Sequence, residues 1–262
     1  CSLNMTAMRQ GFGWKDRFTA AGVHLSISLL VAVAAAVLVF GVWYPYPFRE
    51  ISGGLSLFSV LVSVDVVAGP LLTWLVFNRR KPVSELRRDL VVVACLQLVA
   101  LAYGLWSMYQ ARPVYLIHEV DRFVTVSAAD IDPADLKDAL PELRAIPHFG
   151  LRTLGLREAK DLDEKRKALE LSLVGKDLSL QPRFWQQLSE VNKDAIQKGS
   201  KPLEELRARS EEVKGIVDVW LKDQSWQLSD LRYYPFVSRE NYWTVVLDKN
   251  SNMVGYLPID PF

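Results

Sequence analysis

The chain has 262 residues, a hydrophobic fraction of 50% and a net charge of +1, so it is long enough for one large or two modest domains. No basic patch for nucleic acid is found, and no nucleic-acid partner is expected. The charges are unevenly distributed, because residues 1–110 carry a net charge of +4 and residues 111–262 a net charge of −3. We therefore expect two chemically different halves.

Three long apolar runs lie in the first half, at about 20–43, 55–77 and 90–109. Each run reaches the roughly 20 residues that a helix needs to cross a hydrocarbon core of about 30 Å. Three such runs close together are rare in the core of a soluble protein. The sequence therefore predicts a three-span membrane domain over residues 20–109, preceded by a cytoplasmic N-terminus of residues 1–19.

Basic residues on the short flanks of the spans predict their orientation. Arg9, Lys15 and Arg17 precede the first span, and the connection 78–89 contains five further basic residues. The connection between the first two spans contains only Arg49. Short loops rich in Lys and Arg stay in the cytoplasm. We therefore expect the N-terminus and the 78–89 connection in the cytoplasm, and the C-terminal half on the other side of the membrane.

Cysteine usage and the end of the first run give two further expectations. Cys1 and Cys95 provide neither a disulfide framework nor a zinc site, and we expect Cys95 to be a packing residue in the third span. The first run is longer than the apolar core of a signal peptide, and its end, GVWYPYP, is a poor cleavage site. We therefore interpret it as a span.

The second half, residues 110–262, is predicted to be a compact α+β domain with an antiparallel sheet and a helical insertion. Alternating β-forming residues predict a strand pair or one long strand at about 113–126. Near the C-terminus, the turn-rich segment DKNSN separates two predicted strands at 242–247 and 253–257. We expect all of these strands to pair in one sheet, because short β segments need three or more strands or a covering helix.

Helices are predicted between these strands. Acidic capping residues and an early proline predict a helix in SAADIDPADLKDAL. Charged, helix-forming sequence at 157–174 predicts another helix that stops near Gly175, and further helices are predicted after Pro182 and at about 202–222. The helices are expected to form a solvated, charged insertion.

Catalytic chemistry has little support in the sequence. No GxGxxG, GxSxG, P-loop, HExxH or CxxC motif is present. His24, His118 and His148 are far apart in the chain, and each is expected to be structural or exposed rather than catalytic. We expect no enzyme, no metal site and no cofactor.

Asp65 is the only charged residue in the second apolar run. An acid at mid-membrane costs about 2.5–3.5 kcal/mol and usually faces protein or water. At about 1.5 Å per residue, Asp65 and Tyr103 lie at similar depth, which makes Tyr103 the expected hydrogen-bond partner, with Gln97 about 8 Å off in depth. Gly69 and Pro70 interrupt the helix and let a neighbour approach. Two roles stay open: a structural bond within the three-span bundle, or a partner-binding face.

Five stretches carry a resemblance to a known family: DVVAGPLLTWLVFN, ELRRDL, YQARPVYLIHEVDRF, AADI and PFVSRENYWTVVLDKNSNMVGYLPIDPF. In this order, and over nearly the whole chain from about Arg17, the sequence resembles the TfpX/TfpZ family of type IV pilin accessory proteins, also named fimbrial assembly protein FimB. The resemblance implies an inner-membrane protein of Gram-negative bacteria with a periplasmic C-terminal domain.

The same resemblance implies that the protein binds and stabilises a cognate type IV major pilin before or during pilus assembly. A pilin subunit before assembly has an apolar helix in the membrane and a head outside it, so its accessory protein needs a surface for each. The family brings no cofactor and no catalytic residue. Expected partners are the major pilin and inner-membrane lipid, with other pilus assembly components as further candidates.

Two alternatives from other classes stay open. The first is a membrane-anchored periplasmic ligand-binding or regulatory protein, although the sequence offers no cytoplasmic output domain. The second is a membrane enzyme that uses Asp65 or the acidic residues in the middle of the C-terminal domain, although no partner residues for catalysis accompany them in the sequence.

Overall fold

The structure, a computed structural model, describes residues 14–238 and 241–262. The expectations for Cys1 and Arg9 fall outside the described residues.

Two compact units make up the described chain. One, which we call the helical unit, contains residues 14–41 and 55–108. The other, which we call the sheet unit, contains residues 42–54 and the described residues of 109–262.

Three helices in the described chain are long and apolar enough to cross a membrane: Trp14–Trp43, Gly54–Val76 and Val83–Ala111. They confirm the three predicted spans. The third begins at Val83 rather than near residue 90, because the charged segment VSELRRDL contains good helix formers and places Glu85 in the first turn. Cys95 is exposed on this helix, so its prediction as a packing residue was wrong.

The regular elements of residues 14–111 are five α-helices and two π-helical turns. In chain order they are α1 (Trp14–Leu38), a π turn (Val39–Trp43), α2 (Phe48–Ile51), α3 (Gly54–Ser63), a π turn (Val64–Ala68), α4 (Gly69–Val76) and α5 (Val83–Ala111).

Eight strands form a single sheet in the described part of the sheet unit. They are β1 (Pro113–Glu119), β2 (Arg122–Ser127), β3 (Arg152–Leu156), β4 (Trp185–Gln187), β5 (Lys201–Pro202), β6 (Arg232–Ser238), β7 (Asn241–Leu247) and β8 (Met253–Leu257). The strand order is β4-β3-β1-β2-β6-β7-β8, and β5 pairs with β6.

The sheet is mixed, so the prediction of an antiparallel sheet was wrong in part. β1 pairs with β3, and β2 with β6, in parallel. Parallel neighbours need long crossover connections, and both pairs join segments far apart in the chain. The hairpins β1–β2 and β7–β8 confirm the predicted strands, and they share one sheet as expected. β6, which joins them, lies in the stretch 231–262 that was expected to return to β structure, but no separate strand was assigned to it.

Four α-helices lie between β3 and β6: α6 (Leu162–Leu173), α7 (Glu190–Gly199), α8 (Leu203–Arg207) and α9 (Glu211–Lys222). α6 confirms the helix predicted at 157–174. The single helix predicted at 202–222 is instead two helices, because the hydroxyl group of Ser210 accepts a hydrogen bond from the Val213 N–H (3.1 Å) and starts a new helix.

The helix predicted in SAADIDPADLKDAL is absent. The segment forms only short 3₁₀ turns at Ala128–Asp130 and Leu136–Asp138. The carboxylate of Asp130 accepts a hydrogen bond from the Ser127 N–H (3.1 Å), and Asp132 accepts one from the Ala134 N–H (2.9 Å). Such local side-chain bonds compete with the helical backbone.

The connection between the first two spans contributes to the core of the sheet unit. Phe48 and Ile51 are only 4% and 1% exposed. The ring of Phe48 packs edge-on against the rings of Phe236 and Tyr256, with centroid distances of 5.9 and 6.3 Å. The side-chain amide of Asn241 donates a hydrogen bond to the Ile51 carbonyl (2.9 Å). The core of the sheet unit is therefore completed by residues that come before the second and third spans in the chain, whereas its strands come after them.

We predict that Phe48→Ala destabilises the sheet unit by about 3–5 kcal/mol, because it leaves a cavity between two aromatic rings. Limited proteolysis of the detergent-solubilised protein checks this, with faster cleavage within residues 109–262 as the expected result. Glu50→Ala, in the same short helix but exposed, is the matched control. Protease resistance of the Phe48 variant equal to that of the control would show that the connection is not part of this core.

Candidate intramembrane polar site

One face of the second span is buried at every fourth residue: Leu61, Asp65, Gly69 and Thr73. In an α-helix of 3.6 residues per turn, each step of four residues rotates by about 40°, so four such positions would drift around the helix. The π turn at Val64–Ala68 is wound more widely and offsets that drift. Asp65 is thereby kept on the buried face of its helix.

The carboxyl group of Asp65 is buried without a hydrogen bond to its Oδ1 atom among the described residues. The residue is 7% exposed. Its backbone carbonyl, in contrast, accepts a hydrogen bond from Nε2 of Gln97 in the third span (3.4 Å). Pro70, five residues after Asp65, has no N–H to offer that carbonyl across the π turn, and Gln97 provides a donor instead.

Glycines bring the second and third spans together. A Cβ atom at Gly69 would lie 1.9 Å from Nε2 of Gln97, and one at Gly104 would lie 2.7 Å from a methyl group of Leu61. Each glycine therefore receives a side chain of the facing helix, a common way to pack helices in membranes. Gly69 thus lets a neighbour approach, as the sequence predicts, and this neighbour is the chain's own third span.

The first span is joined to the second by a hydrogen bond between Nδ1 of His24 and the hydroxyl group of Thr73 (2.5 Å). Thr73 is 3% exposed. His24 also lies close enough to Asp65 for an electrostatic interaction. Sequence reasoning missed Thr73 and assigned no partner to His24, since a polar residue in each of two apolar runs does not reveal that they meet.

The expected hydrogen bond between Asp65 and Tyr103 is absent. Tyr103 is 68% exposed and its ring packs beside that of Trp106, with centroids 6.0 Å apart. Gln97 and Gly104, seven residues apart, face the second span, whereas Tyr103 precedes Gly104 by one residue and is rotated from it by about 100°. Asp65 and Tyr103 therefore lie at similar depth, but their side chains do not face each other.

The site can therefore hold three helices together, while Oδ1 of Asp65 has no hydrogen-bond partner within the described part of the chain. Among the residues that the structure describes, no group of three or more His, Cys, Asp or Glu could hold a metal ion. Pro70 lies in the first turn of α4 and is half-buried. Asp65 and Gly69 are brought together with Gln97, and Tyr103 lies on a different face.

Three apolar helices joined to an α+β unit define a membrane-anchored protein. A family model described as fimbrial assembly protein FimB matches residues 12–53, which cover the first span and most of the connection that packs into the sheet unit. The chain belongs to this family, as its curated relatives show.

Those relatives are fimbrial assembly proteins of Dichelobacter nodosus. The serogroup I protein is 36% identical over 256 residues, covering 95% of this chain and 98% of the relative. The serogroup E1 protein is 36% identical over 258 residues, with the same coverage of 95% and 98%. The protein of serogroups C1 and C2 is 39% identical over 132 residues, covering 49% of this chain and 98% of the relative. No solved structure matches the chain.

We predict that Asp65→Leu leaves the stability of the helical unit unchanged or raises it. The substitution removes an insertion cost of about 2.5–3.5 kcal/mol and breaks no side-chain hydrogen bond to another described residue. Thr73→Val, its control, loses the bond to His24, a type of bond that contributes about 0.6 kcal/mol on average between membrane helices. Immunoblots of membranes and thermal unfolding in detergent measure both variants. A lower amount of the Asp65→Leu protein would instead assign the carboxyl group a stabilising role.

Proposed function

We propose that the chain is an inner-membrane accessory protein that binds and stabilises a cognate type IV major pilin before or during pilus assembly. The single observation that carries the proposal is the match to fimbrial assembly proteins over 95% of the chain, which includes both the membrane helices and the sheet unit. The role is one of binding, without a catalytic step.

The outer face of the second span supports a role for the membrane helices in this binding. Val60, Val64, Val67, Leu71 and Leu75 are each more than 40% exposed and follow helical spacing on the side away from Asp65. Helices associate in a membrane through packing rather than through a hydrophobic driving force. In the proposed role, these apolar faces contact lipid and the membrane helix of the pilin.

We further propose that the N-terminus and the connection between the second and third spans are cytoplasmic, and that the sheet unit is periplasmic. The connection contains Arg79, Arg80 and Lys81, and Arg79 forms an ion pair (3.2 Å) with Asp16 at the start of α1. Because residues 42–54 fold together with the C-terminal residues, both segments have to lie on one side of a membrane, as three crossings require. The positive-inside rule then selects the periplasm for this side.

A reporter that is active only in the periplasm tests this orientation. Fused after Phe262, it is expected to be active, and inserted at Lys81 it is expected to be inactive. The reverse pattern would place the sheet unit in the cytoplasm, where it could not contact the part of a pilin outside the membrane.

Pilin abundance tests the proposed role itself. In the host bacterium, deletion of this gene is expected to remove most of the cognate pilin, and the wild-type gene to restore it. We predict a modest loss of pilin for Asp65→Asn and a larger one for Asp65→Leu. Asparagine keeps a polar amide in place of the carboxyl group, whereas leucine removes the polar group altogether. Immunoblots measure the pilin and this protein together.

Unchanged pilin in the deletion strain would contradict the proposed function. Normal pilin in the Asp65→Leu strain would contradict only a contact between Asp65 and the pilin. The chaperone-like role would then rest on other surfaces.

A further inference from the structure

A groove of about 880 Å³ lies on the sheet unit, between α6 and α7. Most of its lining is apolar, as in ligand and peptide sites of this size. The apolar residues that shape it are Val120, Leu156, Leu162, Leu169, Phe184 and Val191.

The walls of the groove expose large apolar side chains. Leu162 and Leu169, two helical turns apart on α6, are 84% and 62% exposed, and Val191 on α7 is 71% exposed. Apolar side chains clustered in a groove on a soluble unit mark an interaction site more often than single exposed residues do. The two helices therefore present one continuous surface that is open to solvent.

Val120, at the rim, has a strained backbone. Its φ is +55°, a left-handed conformation that a β-branched residue rarely adopts, and its side chain is 73% exposed. The hydroxyl group of Tyr234 donates a hydrogen bond to the Val120 carbonyl (3.5 Å). Strain of this kind concentrates at binding sites, where the surrounding structure holds it in place. The turn thus presents an apolar side chain where glycine or asparagine would fit more easily.

The floor of the groove carries no available charge. His118 is 3% exposed, and burial lowers its pKa to about 4, so it is neutral at pH 7. Nε2 of His118 forms a hydrogen bond with the hydroxyl oxygen of Tyr234 (3.0 Å). That hydroxyl group donates its own hydrogen bond to the Val120 carbonyl. The guanidinium of Arg157 is held by both carboxylate oxygens of Glu164, at 2.6 and 2.9 Å. The other charged residues of the groove lie in and before the first turn of α6: Glu158 in the segment that precedes the helix, Asp161 at its N-cap, and Lys165 in its first turn.

We propose that this groove docks an amphipathic helical segment of the pilin, from the part of the pilin outside the membrane. The inference rests on the proposed function and names the contact surface on the sheet unit. The docked segment has an apolar stripe that covers Leu162, Leu169 and Val191. It has a basic residue that meets Glu158 and Asp161, and an acidic residue that meets Lys165.

The openness of the groove favours such a segment over a lipid chain. An acyl chain lying between α6 and α7 would keep part of its apolar surface in water. An amphipathic helix buries its apolar face in a groove and leaves its polar face in solvent. The charges at the rim also match a segment that carries both signs, whereas an acyl chain would leave them unused.

Retention of the cognate pilin by the full-length protein tests this proposal. The complex is purified in detergent through a tag on this protein, and the pilin retained is quantified at low and at high salt. Leu169→Arg places a charge inside the groove and is expected to reduce retention by roughly tenfold or more, because it replaces an apolar side chain that the docked segment would cover. Leu173→Arg, its matched control, lies on the same helix at 79% exposure but outside the groove, and is expected to retain the pilin.

The possible results distinguish failure of the groove from failure of the proposed function. Loss of pilin in Leu169→Arg alone, with normal amounts of both variants and weaker binding of wild type at high salt, supports the groove. Equal retention by both variants overturns the groove and leaves the proposed function in place. No retention by the wild-type protein overturns the proposed function and the groove's occupant with it. A lipid bound to wild type but not to Leu169→Arg in native mass spectrometry, or a dimer lost only in Leu169→Arg, would assign the groove to that occupant instead.

Discussion

The packing of Phe48 and Ile51 into the sheet unit is the interaction on which the rest of the architecture depends. These residues belong to the connection between the first two spans, whereas their partners lie far downstream in β6, β7 and β8. The core can therefore close only when both segments are on one side of the membrane. Folding of the sheet unit is thus coupled to insertion of the second and third spans, and a failed crossing would leave an apolar gap in the core.

Within the helical unit, polar groups are used sparingly and for different purposes. His24 and Thr73 join two spans, and Gln97 satisfies a backbone carbonyl that Pro70 cannot serve. The Asp65 carboxyl group differs from these, because its Oδ1 is buried with no hydrogen bond among the described residues. An acid buried in a membrane span is costly, so a carboxyl oxygen with no hydrogen bond among the described residues calls for a functional explanation. Changes at Asp65 are therefore expected to affect the abundance of the proposed partner more than the stability of the protein itself.

The two proposed contact surfaces, one on the spans and one on the sheet unit, correspond to the two parts of a pilin, one inside the membrane and one outside it. Apolar outer faces of the spans suit a membrane helix, since only packing distinguishes such a partner from lipid. The groove between α6 and α7 suits an amphipathic segment in water, where burial of apolar area provides the driving force. Membership of the FimB family supports a role in fimbrial assembly, and the two surfaces turn that general role into contacts at named residues.

The sequence by itself determined the three spans, β structure at 113–126, the hairpin β7–β8 and α6, because each depends on local periodicity, length or turn chemistry. Only the structure decided that 113–126 forms a strand pair rather than one long strand. It also singled out Asp65 and Gly69, since a charge and a glycine are conspicuous in an apolar run. Only the tertiary structure decided that Gln97 rather than Tyr103 faces Asp65, because depth along a helix does not fix rotation about its axis. The parallel strand pairs and the burial of Phe48 were likewise decided by contacts between distant segments, which no local pattern encodes.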